Sequence, residues 1–291
     1  MLLGSVALVF VIARLRGDPV LLMVQPGATA ADIAAMRHHL GLDQPLVVQF
    51  LHYLGGLLHG DLGVSLWQNT PVLPLTLAPF AFTIKLATLA LGLVVVLGVP
   101  AGVTAAARSS TGWDQTIVVL AVAGQALPVF WVGLMLMYLL SVQYHVFPVS
   151  GVGDWRHLVL PVVTLSLFSI ARITRITRSS VLEVLREDYI RTARAKGLAR
   201  RVVIYRHALR NALLPVLTVV SLDYVAFLGG SVITETIFAL PGMGRLAVQA
   251  ILNRDFPLIQ GIALVSSVVA VTINLAVDFI YLAADPRVRY E

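Results

Sequence analysis

"PFAFTIKLATLALGLVVVLGVPAGVTAAA", residues 79–107, contains a single charged side chain, Lys85. A helix needs about 20 apolar residues to cross the hydrocarbon of a bilayer, and this run exceeds that length. Four further runs share its character: Gln115 to Ser141, Leu158 to Ile173, Ala212 to Phe238 and Leu258 to Ala284. Met1 to Ala13 makes a shorter one, followed by Arg14 and Arg16. Backbone against lipid must satisfy its own hydrogen bonds, so spans this apolar are expected to be helices. The reading is an all-α membrane protein with six spans, the first of them short or lacking its beginning. It is not a secretory signal of the usual kind, because no charged residue precedes Arg14.

Composition agrees. Of 291 residues, 58% are apolar and 12% charged, with a mean hydropathy of +0.88; soluble domains carry about 25% charged residues. The absence of cysteine excludes disulfides, thiol nucleophiles and thiolate metal sites. A pI near 10.0 suggests nucleic acid only if a basic face with interleaved aromatics accompanies it, and none is evident.

Positive charge sets the orientation. Eleven of the 21 Lys and Arg residues lie between Arg172 and Arg210, so that loop is expected on the cytoplasmic side. Six spans then place the N-terminus, the loop with Arg108 and the tail with Arg287 and Arg289 on the same side. The expected layout is a first span over 1–16, an outer helical segment over 17–77, a five-helix core over 78–284 with a cytoplasmic loop over 174–211, and a tail over 285–291. In the outer segment, Thr29 with Asp32 reads as a helix cap closed near Gly41, and Pro45 starts a second helix ending near Gly60.

The basic loop reads "YIRTARAKGLARRVVIYRHALRNALLP" over residues 189–215. Val181, Leu182, Leu185, Tyr189 and Ala193 recur at helical spacing, with Glu187 and Arg191 at i, i+4 on the other side. After Gly197 the pattern restarts with Val202, Tyr205, Leu209, Ala212 and Leu213, while Arg206 and Arg210 form another stripe. Gly197 is expected to supply the positive φ of a corner. An anchor against the inner leaflet has no need of such a shape, and a docking surface does.

These residues resemble the "EAA" loop of binding-protein-dependent ABC-transporter permeases, in the form carried by the dipeptide, oligopeptide and nickel branch. The consensus glutamate-alanine-alanine falls on Arg191, Thr192 and Ala193, followed by Arg194, Ala195, Lys196 and Gly197, and its proline falls on Pro215. Only Ala193, Gly197 and Pro215 match the general pattern; the remaining residues are similar to the peptide branch. "GDPV" at 17–20, "LGLDQPL" at 40–46, "GDLGVS" at 60–65, "ETIFALPGMGRL" at 235–246, "NRDFPLIQG" at 253–261 and "DFIYLAADPRVR" at 278–289 resemble the same branch in the same order.

The resemblance implies a permease subunit of an ATP-driven importer in the bacterial inner membrane. It implies four kinds of partner: a second permease subunit, two ATPase subunits that bind ATP and Mg, an extracytoplasmic solute-binding protein, and membrane lipid. It implies that 191–197 couple to the ATPase, and that Pro241, Gly242 and Gly244 lie at the outer mouth. The substrates it implies are di- and oligopeptides, with nickel chelates or glutathione-like solutes as the alternative. No Walker-type loop is present, so no ATPase site is expected in this chain, and no His-Glu-x-x-His motif suggests an enzyme. A rival class, the ion-coupled secondary transporter, would need coupling residues at midplane and a structural repeat.

Charges within the spans are the remaining candidates. Lys85 and Glu235 are expected to snorkel from near the outer ends or to line the path. Asp223 lies about ten residues into its span and is expected to face the bundle interior, meeting a substrate ammonium or Lys85. Asp278 lies in the last span. His38, His39, His52 and His59 on the outer segment would be the only source of a metal site, and the expectation there is no resident metal.

Overall fold

A computed structural model describes residues 29–39 and 41–284, together with 4, 6, 7, 10, 11 and 20. The expected first span, the start of the outer segment at 17–28, the tail at 285–291 and the side chains of His39 and Asp278 lie largely or wholly outside the described residues. The described helices, in order, are α1 (Ala30–His39), α2 (Leu46–Leu58), α3 (Val72–Ala107), α4 (Gly112–Ala126) and α5 (Val129–Gln143). They continue with α6 (Arg156–Val184), α7 (Asp188–Ala195), α8 (Arg200–Gly229), α9 (Val232–Ile237), α10 (Met243–Leu252) and α11 (Phe256–Ala284).

Among the described residues, α3, α6, α8 and α11 are each long and apolar enough to cross a bilayer. The span expected over Gln115 to Ser141 is broken: α4 and α5 meet at 99°. The cause is Pro128, whose ring disfavours helical backbone in the residue before it, and Leu127 is extended at φ −86, ψ 129. Counted as one, the bent pair is a fifth span.

The chain divides into two units, residues 1–81 with 245–272 and residues 82–244 with 273–291. In the first, a reciprocal cap opens α1: the Thr29 amide and hydroxyl donate to Asp32 Oδ2 at 2.9 and 2.7 Å. The Asp32 amide returns a bond to Thr29 Oγ1 at 3.3 Å. The Thr29 hydroxyl, helped by its amide, holds the Asp32 carboxyl below the usual carboxylate range. Gly41 and Gly60, at φ 63 and 78, turn the chain after α1 and α2. Asp255 is fully buried at the head of α11, where it accepts from the Leu258 amide at 3.2 Å. It also accepts from the Ser65 hydroxyl and from the Leu66 and Trp67 amides. Thus "GDLGVS" and "NRDFP", 190 residues apart, are one structural knot.

In the second unit α6 is the central post, packed by α4, α5, α8 and α9. Its core joins Leu86, Ala90 and Val94 of α3 to Leu160, Leu165 and Ile173 of α6, with Val216 and Phe227 of α8, Phe238 and Leu240. Lipid tails are as apolar as leucine, so close packing rather than escape from water must hold such helices together. Glycines supply it. A Cβ on Gly102 would lie 2.5 Å from the Thr174 carbonyl and 2.6 Å from Thr177 Cβ, and one on Gly98 would lie 3.1 Å from Ile173. Gly124 of α4 and Gly133 of α5 face Ala171 and Thr164 of the same helix. The apolar residues left outside, such as Val96, Val119 and Leu120, are exposed as lipid-facing side chains should be.

Candidate functional site

The basic loop folds as one short helix, α7, and a glycine corner, and the second short helix expected after Gly197 is instead the first turns of the long helix α8, because no residue breaks the helix between Arg200 and Gly229. Backbone at Glu187 is extended, at φ −65 and ψ 147, so α7 starts a new axis rather than continuing α6. Gly197 closes it in the left-handed region at φ 76. The Gly197 amide donates to the Arg194 carbonyl at 3.0 Å and the Leu198 amide to the Ala193 carbonyl at 3.3 Å, the paired bonds of a Schellman cap.

The inward face of α7 is Ile190 and Ala193, packed with Val203 and Ala208 of α8, with Val184 of α6 and with Leu185 just beyond it. Tyr189, Arg191, Thr192, Arg194, Ala195 and Lys196 stay exposed. The stripe expected from periodicity is therefore right at Val181 and Ala193 but wrong at Tyr189, because the break at Glu187 resets the helical phase and turns Ile190 inward. Likewise Val203, Ile204 and Ala208 are buried where Val202 and Tyr205 were expected. There α8 winds π-helically over Val203–Ala208, and the wider turn changes the helical phase, while Ala212 beyond it is buried as expected.

Two bonds fix the loop to the spans. The Asn211 amide donates to the Tyr189 hydroxyl at 2.7 Å, tying α7 to α8. Arg200 donates to the carbonyl of Ala107, placing a cation at the C-terminal end of α3, where the helix dipole favours one. Arg191 pairs with Asp188 at 2.9 Å instead of Glu187, with both side chains in water, which contributes little to stability.

Not every arginine in the run is free charge. Arg178 makes a bidentate pair with Asp114 at 2.6 and 2.8 Å, and Asp114 Oδ2 also accepts from the Ser110 amide at 3.0 Å. Arg172 of α6 is ion-paired to Asp223 of α8. Asp223 does face the interior, at 1% exposure, but its partner is Arg172 and not Lys85, which is exposed on α3. Periodicity could not assign this pair, since each arginine in the run looked alike.

Glu235 does not snorkel. It is completely buried, and its Oε1 accepts from the Thr83 hydroxyl at 2.8 Å and the Ser231 hydroxyl at 2.7 Å. Thr83 Oγ1 in turn accepts from the Met243 amide at 2.9 Å, and the Leu240 amide donates to the Glu235 carbonyl at 2.8 Å. A Cβ on Gly242 would overlap the Glu235 carboxylate, and one on Gly244 would lie 2.6 Å from Val232 Cα. Gly242 and Gly244 are therefore glycine because the Pro241–Gly244 turn folds flat over Glu235. Thr83, which the sequence did not single out, is the link from this turn to α3. Among the described residues, no three His, Cys, Asp or Glu side chains cluster as metal ligands.

Helices long enough to span, a glycine-packed bundle and a short amphipathic helix between two of the spans define an all-α polytopic membrane protein. Residues 98–290 match the family model described as binding-protein-dependent transport system inner membrane component, and residues 1–87 match its N-terminal counterpart. The chain belongs to that family of inner-membrane transport components. It is 44% identical to the probable peptide ABC transporter permease protein y4tP of Sinorhizobium fredii, covering 97% of this chain and 93% of that one. It is 41% identical to the dipeptide transport system permease protein DppB of Escherichia coli K12, covering 94% and 91%. The fold is similar to that of the MetNI methionine ABC transporter in inward-facing conformations, at TM-score 0.63 and 16% identity over 72% of this chain and 96% of that chain. An amino acid ABC transporter crystallised with histidines gives TM-score 0.58 at 19% identity over 71% and 92%.

Proposed function

We propose that this chain is one of two permease subunits of an ATP-driven importer for di- and oligopeptides. Its 189–213 loop, with 191–197 at the point of contact, transmits the motion of partner ATPase subunits to the spans. The observation that carries the reading is the division of α7 into a buried edge, Ile190 and Ala193, and an exposed basic edge, Arg191, Arg194 and Lys196. The first welds the helix to α6 and α8; the second is left for a partner. A lever needs both, because a docked ATPase drives transport only if it favours one membrane conformation over another.

In this reading the loop over 174–211 and both termini are cytoplasmic. Residues 17–77 are extracytoplasmic, Pro241, Gly242 and Gly244 lie at the outer mouth of the path, and Asp223, Lys85 and Glu235 belong to the path or its walls. ATP and Mg are bound by the partner ATPases and not by this chain. The peptide assignment is supported by the names of the two relatives above.

The test is ATP-driven uptake of a labelled dipeptide by the complete transporter in proteoliposomes. Gly197→Val forces a β-branched residue into the left-handed region, at about 1–2 kcal/mol, and loosens the corner. Uptake should fall at least tenfold while the spans remain assembled. Uptake that persists without any ATPase subunit refutes the proposal.

A further inference from the structure

A cavity of about 410 Å³ opens beside α6, lined by Gln125 of α4 and by Arg172, Arg175, Ile176, Ser179 and Ser180. We propose that it is a way-station for the C-terminal carboxylate of a peptide in transit, bound by the guanidinium groups of Arg172 and Arg175. The inference rests on the peptide reading above and adds the part of the substrate that the permease itself reads.

Three observations converge on it. First, the lining carries two cations and no acidic side chain. Arg172 and Arg175 stand at i, i+3 on one helix face, so their forks can converge on one planar anion, the geometry at which arginine exceeds lysine. Second, each arginine is oriented from behind. Asp223 holds Arg172, and Gln125 Oε1 accepts from Arg175 Nη1 at 2.7 Å. The Arg172–Asp223 pair is incomplete, since Arg172 Nε and Asp223 Oδ2 are buried without a hydrogen-bond partner among the described residues. A buried pair that leaves bonding capacity unused is a poor device for stability alone. Third, Arg175 is exposed at the end of α6 that the reading above places on the cytoplasmic side, so the cavity is open to water there. The volume lies within the ~300–1,000 Å³ of small-ligand sites. Asp223 acts here as a positioning residue, not a ligand.

The chain has no cysteine, so Ser179→Cys gives it a single thiol on the cavity wall. The complete transporter carrying this change is treated in proteoliposomes with a water-soluble, membrane-impermeant methanethiosulfonate, with and without a dipeptide under ATP turnover. Labelling of this chain should be readily detected and slowed at least threefold by the dipeptide. Adding Arg175→Gln should abolish the protection and lower dipeptide uptake about tenfold, as for loss of a hydrogen bond to a charged group, with partial recovery in Arg175→Lys. An unlabelled thiol, labelling that the dipeptide does not slow, or unchanged uptake in Arg175→Gln overturns the proposal. Labelling that responds to phosphatidylglycerol against phosphatidylcholine and not to dipeptide also overturns it, assigning the cavity to a lipid phosphate. If the unsubstituted transporter takes up no dipeptide with ATP, the peptide reading fails instead.

Discussion

Replacing Thr83 by valine keeps the volume of a fully buried side chain and deletes its hydroxyl. That hydroxyl makes two bonds in series, accepting from the Met243 amide at 2.9 Å and donating to Glu235 Oε1 at 2.8 Å. Glu235 keeps the Ser231 hydroxyl at 2.7 Å, so its loss is partial. The Met243 amide loses this acceptor in a site with no exposure to water for Thr83 or Glu235 beyond 1%. An orphaned buried donor costs about 1–3 kcal/mol and a lost hydrogen bond about 1 more, so the total is roughly 2–4 kcal/mol. At ~2–4 °C per kcal/mol for a domain of this size, melting should fall by roughly 4–16 °C. The assay is thermal unfolding of the detergent-solubilised protein followed by size-exclusion recovery, with Thr83→Ser as the control that keeps the oxygen. Serine should stay much nearer the parent. If serine loses as much as valine, the methyl and not the hydroxyl holds the turn, and the assignment of Thr83 as its link to α3 is refuted.

Gly102→Ala should destabilise by about 1–3 kcal/mol through overpacking against the Thr174 carbonyl, whereas Gly92→Ala, with open space around its Cβ, should be neutral or better in the same melt. Asp114→Ala removes a bidentate partner from Arg178 and should cost about 1.5–3 kcal/mol; Arg178→Lys should not be tolerated as equivalent, since it cannot reproduce the fork. The Asp32 carboxyl has a depressed pKa when folded, so its contribution to the α1 cap is complete above the unfolded value near 4 and lost as pH falls through the folded one. Amide exchange in α1, corrected for intrinsic rates, should accelerate below about pH 4 in the parent and show no such step in Asp32→Asn.

The helices were legible because lipid makes a strong demand: a run such as 79–107 has no other structure open to it. The glycine corner at Gly197 was legible too, since few residues tolerate its φ. The phase of the α7 face was not. Tyr189 and Ile190 are adjacent and both fit an apolar stripe, and only the break at Glu187 decides which turns inward. Nor could the sequence say that Glu235 stays dry, because the Thr83 hydroxyl that bonds it and the Pro241–Gly244 turn that covers it come from separate elements.

By itself the sequence determined what depends on composition and short spacing: a helical membrane protein, a basic loop with a short helix and a glycine corner, and the family's ordered motifs. Tertiary structure decided what depends on distance through space. It chose Arg172 over Lys85 as the partner of Asp223, Asp114 as the partner of Arg178, and Asp255 as the tether of Ser65. The physical reason is that a carboxylate in a span must find a partner, but any of several arginines would satisfy it chemically. Which one does is settled by which helices pack together, α6 with α8 for Arg172 and α6 with α4 for Arg178.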